Sequence, residues 1–149
     1  MLNLCRLSWK IILKTNTGTD TMTALDLCDQ QGIDVYFFDG RSCNKKAFFN
    51  PGMKLIGIDA YLEPPEREKA LYHELGHQNH TEAQYVLHRE LCELQADRNM
   101  IHHLLKDELA AMDDHSCFNY LNFMNKYQLK TMTDEVMVKE EFDNLANII

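Results

Sequence analysis

The strongest constraint on the fold of this chain is the sequence HELGH at residues 73–77. A proline pair at residues 64–65 precedes it, followed by glutamates that suit the positive end of a helix dipole. We therefore predict a helix from residue 64 to about residue 79. Residues four apart on a helix are offset by only about 40° around its axis, so His73 and His77 should project from one face.

These two histidines and the glutamate beside them form the pattern HExxH, which is typical of metal-binding helices. Two imidazole nitrogens one turn apart can bind one zinc ion at about 2.0–2.1 Å. Glu74 lies about 100° further round the helix, beside the metal. We predict His73 and His77 as zinc ligands and Glu74 as the group that takes a proton from water at the metal. The alternative is a solvent-facing helix, and the apolar Leu75 and small Gly76 weigh against it.

A third ligand has to come from elsewhere in the chain. A histidine six residues after His77, as in the metzincins, is excluded because Ala83 occupies that position. The next predicted helix carries the sequence ELQAD at residues 93–97 and supplies Glu93. Glu90 is a rival on a nearby face, and Glu93 is favoured because only it has an aspartate at i+4.

That aspartate, Asp97, can accept a hydrogen bond from the far nitrogen of a zinc-bound His73 and so fix the ring. Ala96 is small where the two helices have to approach each other. Three protein ligands and one open position are typical of a catalytic zinc site. A structural zinc domain would need a fourth ligand, which only His80 or a cysteine such as Cys92 could supply.

The rest of the chain divides into a strand-rich part and a helical part. Thr23 is a candidate N-cap for a first helix that ends near Gly32. Three apolar runs separated by turn sequences predict strands at residues 33–38, 46–49 and 54–58. Their spacing favours an antiparallel meander, which is small enough to need helices packed on one face.

The chain after residue 61 has helical periodicity. A long helix is predicted to begin near residue 84 or 87 and to end near residue 109. Its predicted apolar face consists of Leu87, Leu91, Leu94, Met100, Ile101 and Leu104. Two further helices follow. The order predicts the α+β class, with a small antiparallel three-stranded sheet packed on a mainly helical, zincin-like domain.

The charge of the chain limits the classes of molecule that it is expected to bind. With 15 Lys and Arg against 23 Asp and Glu, the net charge is −8, which argues against nucleic-acid binding and leaves a basic protein partner open. No run approaches the roughly 18 apolar residues of a membrane helix. The 5 cysteines are scattered without a CxxC pair, which favours reduced thiols. We expect a cytoplasmic protein without direct contact to nucleic acid or membrane.

The sequence HELGH, followed sixteen residues after His77 by ELQAD, resembles the ImmA/IrrE family of metallopeptidases, gluzincin-like enzymes of phages, mobile elements and stress responses. The first helix and the strand meander also resemble that family's core, over about residues 22–110. Gln95 stands where the family usually has an acid. A histidine common in the family occurs here one residue early, at His80, and Thr81 occupies the usual place.

The resemblance implies a zinc-dependent endopeptidase that cleaves or otherwise inactivates a helix-turn-helix repressor. The implied cofactor is Zn²⁺, with His73, His77 and Glu93 as ligands, Glu74 as the catalytic base and Asp97 behind His73. The alternative is a metal-containing anti-repressor that binds its partner without cutting it.

Two details of such a site are open. A side chain that donates to the oxyanion could be Tyr72, Tyr85 or His88, and the sequence selects none of them. An extended substrate could add to the edge of the meander along Lys54–Ile58.

The first 21 residues differ from the rest. Residues 14–21 are polar and turn-rich, as in a linker or a frayed end, and Met22 stands just before the first predicted helix. We therefore predict an N-terminal extension at residues 1–21 and a single metallopeptidase-like domain at residues 22–149. A disordered extension is one of the alternatives.

Overall fold

A computed structural model describes residues 22–148. In chain order its elements are α1 (Ala24–Gln30), β1 (Asp34–Phe38), β2 (Ala47–Asn50), β3 (Leu55–Asp59), α2 (Pro64–Leu75), α3 (Glu82–Leu87), α4 (Arg89–Ala110), a 3₁₀ turn (His115–Cys117), α5 (Tyr120–Lys126) and α6 (Met132–Ile148). The α+β class is confirmed. The predicted extension at residues 1–21 lies outside the described residues, so its boundary stays a prediction.

Helix α1 begins and ends where its sequence indicates. The Thr23 hydroxyl accepts from the Asp26 N–H at 3.2 Å, and the Asp26 carboxylate accepts from the Thr23 N–H at 3.0 Å. This reciprocal capping box satisfies two amides that the first turn leaves without partners. Gly32 follows the helix with φ of +69°, a conformation that favours glycine.

The sheet has the order β1-β3-β2, so the predicted antiparallel meander is wrong in one respect. β2 is antiparallel to β3, but β1 is parallel to it and pairs from Asp34 with Leu55 onward. The connection over residues 39–46 is long enough to cross the width of β3, which leaves the central place to the most buried strand. Both edges of β3 are therefore paired, and the predicted addition of a substrate along Lys54–Ile58 is wrong.

A buried carboxylate fastens that connection to the end of β3. Asp59 is only 8% exposed and accepts hydrogen bonds from the N–H groups of Gly40 and Tyr61, both at 3.0 Å. A Cβ atom on Gly40 would lie 2.4 Å from the carbonyl oxygen of Lys45. The turn therefore needs glycine at this position, and Asp59 satisfies the amides that the tight path would otherwise leave unpaired.

One apolar core joins the sheet to the helices. It includes Ile56, Ile58, Leu71, Leu75, Ile101, Leu104, Leu105, Met124 and Val138. Helix α2 packs on β2 and β3 with one face and on α4 with another. α2 begins at Pro64, as predicted, and ends at Leu75, four residues earlier than predicted.

The predicted long helix begins at Arg89, two residues after the later of its two predicted starts, and ends at Ala110. The earlier start is wrong, because the chain turns at His88, which has φ of −133° and ψ of 44°, and residues 84–87 belong to the separate helix α3. Met100 and its neighbours toward the C-terminus of α4 are buried as predicted. Leu87, Leu91 and Leu94, in contrast, are 74%, 54% and 44% exposed, so their prediction as core residues is wrong. The inward face of the first turns of α4 belongs to smaller and polar side chains that meet α2.

The last two helices are α5 and α6. A 3₁₀ turn precedes α5, which begins at Tyr120. Thr131 caps α6, since its hydroxyl accepts from the Asp134 N–H at 3.0 Å and its own N–H donates to that carboxylate at 3.1 Å. Among the described helices, none combines the length and the apolar character that crossing a bilayer requires.

Gly76, directly after the end of α2, lies close against Ala96 of α4. A Cβ atom on Gly76 would lie 2.7 Å from the Cα of Ala96 and 3.1 Å from its Cβ. Ala96 itself is completely buried. Leaving out both larger side chains lets the two backbones meet where the histidines of α2 face the carboxylates of α4.

We expect Gly76→Ala to destabilise the protein. Overpacking costs about 1–3 kcal/mol, whereas alanine gains at most about 1 kcal/mol of helix propensity over glycine. Urea unfolding in the presence of a chelator should therefore show a lower free energy of unfolding. The control is Gly52→Ala, whose new Cβ would meet its nearest atom at 3.5 Å. Equal unfolding midpoints for the two variants would contradict the close approach.

Candidate metal centre

Two histidines from the end of α2 and one carboxylate from α4 converge. His73 Nε2 lies 3.2 Å from Glu93 Oε2, and His77 Nε2 lies 3.6 Å from Glu93 Oε1. The two Nε2 atoms are 3.3 Å apart. Within residues 22–148 this is the one group of three or more side chains whose ligand atoms are close enough to share a metal ion.

The spacing of these donor atoms fits a small divalent cation. Donors bound at about 2.0–2.1 Å to a tetrahedral zinc ion lie about 3.3–3.4 Å from one another. His73 Nε2 lies 3.3 Å from His77 Nε2 and 3.2 Å from Glu93 Oε2, close to that value, and His77 Nε2 lies 3.6 Å from the other carboxylate oxygen, Oε1. Two imidazoles and one carboxylate are also a donor set of catalytic zinc sites. The residues present therefore fit the predicted Zn²⁺.

Asp97 lies behind His73, where the sequence analysis put it. Its Oδ1 is 2.9 Å from His73 Nδ1. Burial works to lower the pKa of His73, but the hydrogen bond and the negative charge of Asp97 outweigh burial and leave the pKa above its ordinary value. A hydrogen on Nδ1 that is donated to Asp97 leaves the lone pair on Nε2, which faces Glu93.

His77 reaches the site although the regular helix ends before it. The N–H of His77 donates to the Glu74 carbonyl at 3.1 Å, and that of Gln78 donates to the Leu75 carbonyl at 3.2 Å. These i→i−3 bonds tighten the last turn into 3₁₀ geometry. The ring of His77 nevertheless stays beside that of His73, with the ring centroids 5.0 Å apart. The predicted end of the helix is wrong, but the predicted shared face survives.

Glu74 lies next to the cluster and is not one of the three grouped side chains. Burial raises its pKa; the charge of a protonated His73 opposes this and that of Glu93 adds to it. A raised pKa brings a carboxylate closer to the range in which it both accepts and returns a proton. Its role as the base stays a prediction.

Glu90, the rival third ligand, is exposed on α4 and is not part of the group. Neither of the two candidates for a fourth ligand joins it. Cys92 is buried but is not part of the group, and His80 lies behind His77, with 3.1 Å between their Nδ1 atoms. Among the described residues the group therefore offers three candidate ligands, the number that would leave one position of a tetrahedral ion open.

One of the three candidate oxyanion donors is in the site. The Tyr85 hydroxyl donates to Glu93 Oε1 at 2.8 Å, and this hydrogen bond raises the pKa of Tyr85. The hydroxyl of Tyr72 instead donates to Asp107 at 2.6 Å, and the ring of Tyr72 stacks on the ring of His103 in α4. His88 is exposed at the turn between α3 and α4.

Gln95 is not among the residues that the sequence predicts for the site. The structure joins it to the site, because its Oε1 lies 2.8 Å from His80 Nε2. The position of Gln95 between the two acids of ELQAD was the available signal. It was not sufficient, since the contact depends on how the chain turns after His77.

Replacing Glu93 and Glu90 in turn should show which of the two carboxylates is the third metal ligand. We expect Glu93→Gln to lower zinc affinity by more than about 100-fold, because even changes behind the ligands cost about 10–100-fold. Glu90→Gln, on the same helix, should leave the affinity unchanged. Competition with a chromophoric chelator measures both. A loss in the Glu90 variant with none in the Glu93 variant would reverse the assignment.

Comparison with known proteins tests the resemblance independently. Residues 28–139 match the model of the family Peptidase_M78, described as the IrrE N-terminal-like domain. No match is found among curated proteins or among solved structures. The matched span includes the sheet, α2 and α4, and it confirms the resemblance to the ImmA/IrrE family. Since the match covers well over half of its 149 residues, the chain belongs to the family of the IrrE N-terminal-like domain.

Proposed function

We propose that the protein is a zinc-dependent endopeptidase, and that its substrate is a helix-turn-helix repressor of a phage or mobile element. Membership in a peptidase family supports a metallopeptidase function. The observation that carries the proposal is the convergence of His73, His77 and Glu93, whose ligand atoms are close enough to share one metal ion. Glu74 beside them adds a group that can move protons.

His73, His77 and Glu93 would hold the zinc ion. When bound, a divalent ion polarises a carbonyl group and makes water a stronger nucleophile. A carboxylate oxygen of Glu74 takes the proton from the attacking water and passes it to the nitrogen of the leaving amine. Burial supports this role, because it raises the pKa of Glu74.

Tyr85 is the candidate donor to the oxyanion. Its hydroxyl already lies at the metal ligands, 2.8 Å from Glu93 Oε1. Rotation of the phenol toward a substrate carbonyl exchanges that hydrogen bond for one to the developing negative charge, which is the kind of contact that stabilises the transition state.

An extended substrate segment can reach the site along β2. With both edges of β3 paired, β1 and β2 are the outer strands of the sheet within residues 22–148. β2 is the one that packs on α2. Lys46, just before β2, forms an ion pair with Glu66 of α2 at 3.2 Å, and the charge of Lys45 acts on Glu74. Backbone pairing with β2 would therefore hold a peptide beside Glu74.

The charge and the cysteines support the proposed partner and compartment. A net charge of −8 suits docking to a basic DNA-binding protein better than contact with DNA. The four described cysteines, Cys28, Cys43, Cys92 and Cys117, are free thiols. Free thiols suit the reducing cytoplasm.

The test of this function is incubation of the zinc-loaded protein with the helix-turn-helix repressor encoded nearest to its gene. We expect repressor fragments on a gel and by mass spectrometry. Glu74→Gln should lower the cleavage rate by about 10²–10⁴-fold, since it removes the proton acceptor and keeps the ligands. Zinc affinity should be unchanged.

Glu82→Gln is the matched control, because Glu82 is an exposed glutamate at the start of α3. It should cleave like the wild type. Fragments that appear at the wild-type rate with Glu74→Gln would contradict the role of Glu74. A stable complex with intact repressor would contradict the peptidase and support the anti-repressor alternative.

A further inference from the structure

The side of His77 that faces away from Glu93 carries a second line of polar contacts. His77 Nδ1 lies 3.1 Å from His80 Nδ1, and His80 Nε2 lies 2.8 Å from Gln95 Oε1. The rings of His77 and His80 meet edge to face, with their centroids 5.3 Å apart. The line thus begins on α4, passes through the turn after α2 and ends at a predicted zinc ligand.

The donors and acceptors in this line determine each other. The oxygen of Gln95 can only accept, so the hydrogen of neutral His80 is on Nε2. Nδ1 of His80 then has a lone pair and accepts a hydrogen from Nδ1 of His77. His77 consequently has its own lone pair on Nε2, which is the atom that faces His73 and Glu93.

The opposite arrangement would be incompatible with a metal ion. If the amide nitrogen of Gln95 faced His80, His80 would accept at Nε2 and donate from Nδ1. His77 would then accept at Nδ1 and carry its hydrogen on Nε2. That hydrogen would point toward Glu93 and occupy the direction of the metal bond.

We propose that His80 and Gln95 are positioning residues that hold His77 in the tautomer and ring orientation required of a metal ligand. This inference rests on the proposed metal site. It parallels the action of Asp97 on His73 but uses two neutral groups. The second ligand is thereby oriented without adding a negative charge to a site that already has Glu74, Glu93 and Asp97.

The two members of the pair should differ in their effect. His80 is half-buried and contacts the ligand directly, whereas Gln95 is exposed and acts through His80. Removing a group behind a metal ligand lowers metal affinity by about 10–100-fold. We expect that loss for His80→Phe, which keeps an aromatic ring without nitrogen atoms. We expect a smaller loss, of about 3–10-fold, for Gln95→Leu.

A conservative variant and a double variant distinguish positioning from simple packing. Gln95→Glu keeps an acceptor at the same place, and a carboxylate cannot donate, so the wild-type affinity should be retained or exceeded. The double variant with His80→Phe and Gln95→Leu should bind zinc as weakly as His80→Phe alone, because Gln95 acts only through His80. Glu90→Gln serves as the control that changes an exposed side chain of α4.

The measurement is zinc affinity, by competition with a chromophoric chelator, on metal-depleted full-length protein. Nitrogen-15 spectra of the histidines in the zinc-loaded wild type report the tautomers directly. The expected result is a hydrogen on Nδ1 of His77 and on Nε2 of His80. This reading needs no variant, so it remains decisive if a variant fails to fold.

The outcomes separate this inference from the proposed function. If the wild type binds zinc and His80→Phe binds it equally well, the positioning pair is refuted and the metal site stands. If the spectra show the hydrogen of His80 on Nδ1, the pair is refuted as well. If the wild type binds no zinc, the proposed function fails, and with it the inference that depends on it.

Discussion

The site depends on the contact between two helices that have almost no side chain at their crossing. Gly76 and Ala96 allow the backbones of α2 and α4 to meet, and a single added carbon atom would lie 2.7 Å from a backbone atom. Only at this short separation can imidazoles on one helix and a carboxylate on the other face each other at 3.2–3.6 Å. Space that larger side chains fill elsewhere in the core is thus left for the predicted metal ligands.

Local geometry made part of this arrangement predictable. The i, i+4 spacing of His73 and His77 fixes their common face even though the last turn tightens. Asp97 one turn after Glu93 distinguished that glutamate from Glu90. The ends of α1 were predictable for the same reason. Its N-terminal cap is a pair of hydrogen bonds between residues three apart, which do not depend on the rest of the fold.

Non-local choices were not predictable from the same patterns. The three strands occur where expected, but the order β1-β3-β2 depends on which strand gains most from burial on both edges. Apolar periodicity predicted Leu91 and Leu94 as core residues. In the structure, Glu93, Ala96 and Asp97 occupy the face of α4 that contacts α2 and its last turn. The contact of His80 with Gln95 joins residues fifteen apart across a turn whose path no local rule determines.

Helix α3 has a different relation to the site. None of its residues is buried, and it is separated from α4 by the turn at His88. Segments with so few apolar contacts open at a free energy far below that of global unfolding. Tyr85 belongs to this segment, while His73, His77 and Glu93 belong to α2, its last turn and α4. We therefore expect the segment with Tyr85 to open more readily than α2 and α4, which would admit a polypeptide chain without displacing His73, His77 and Glu93.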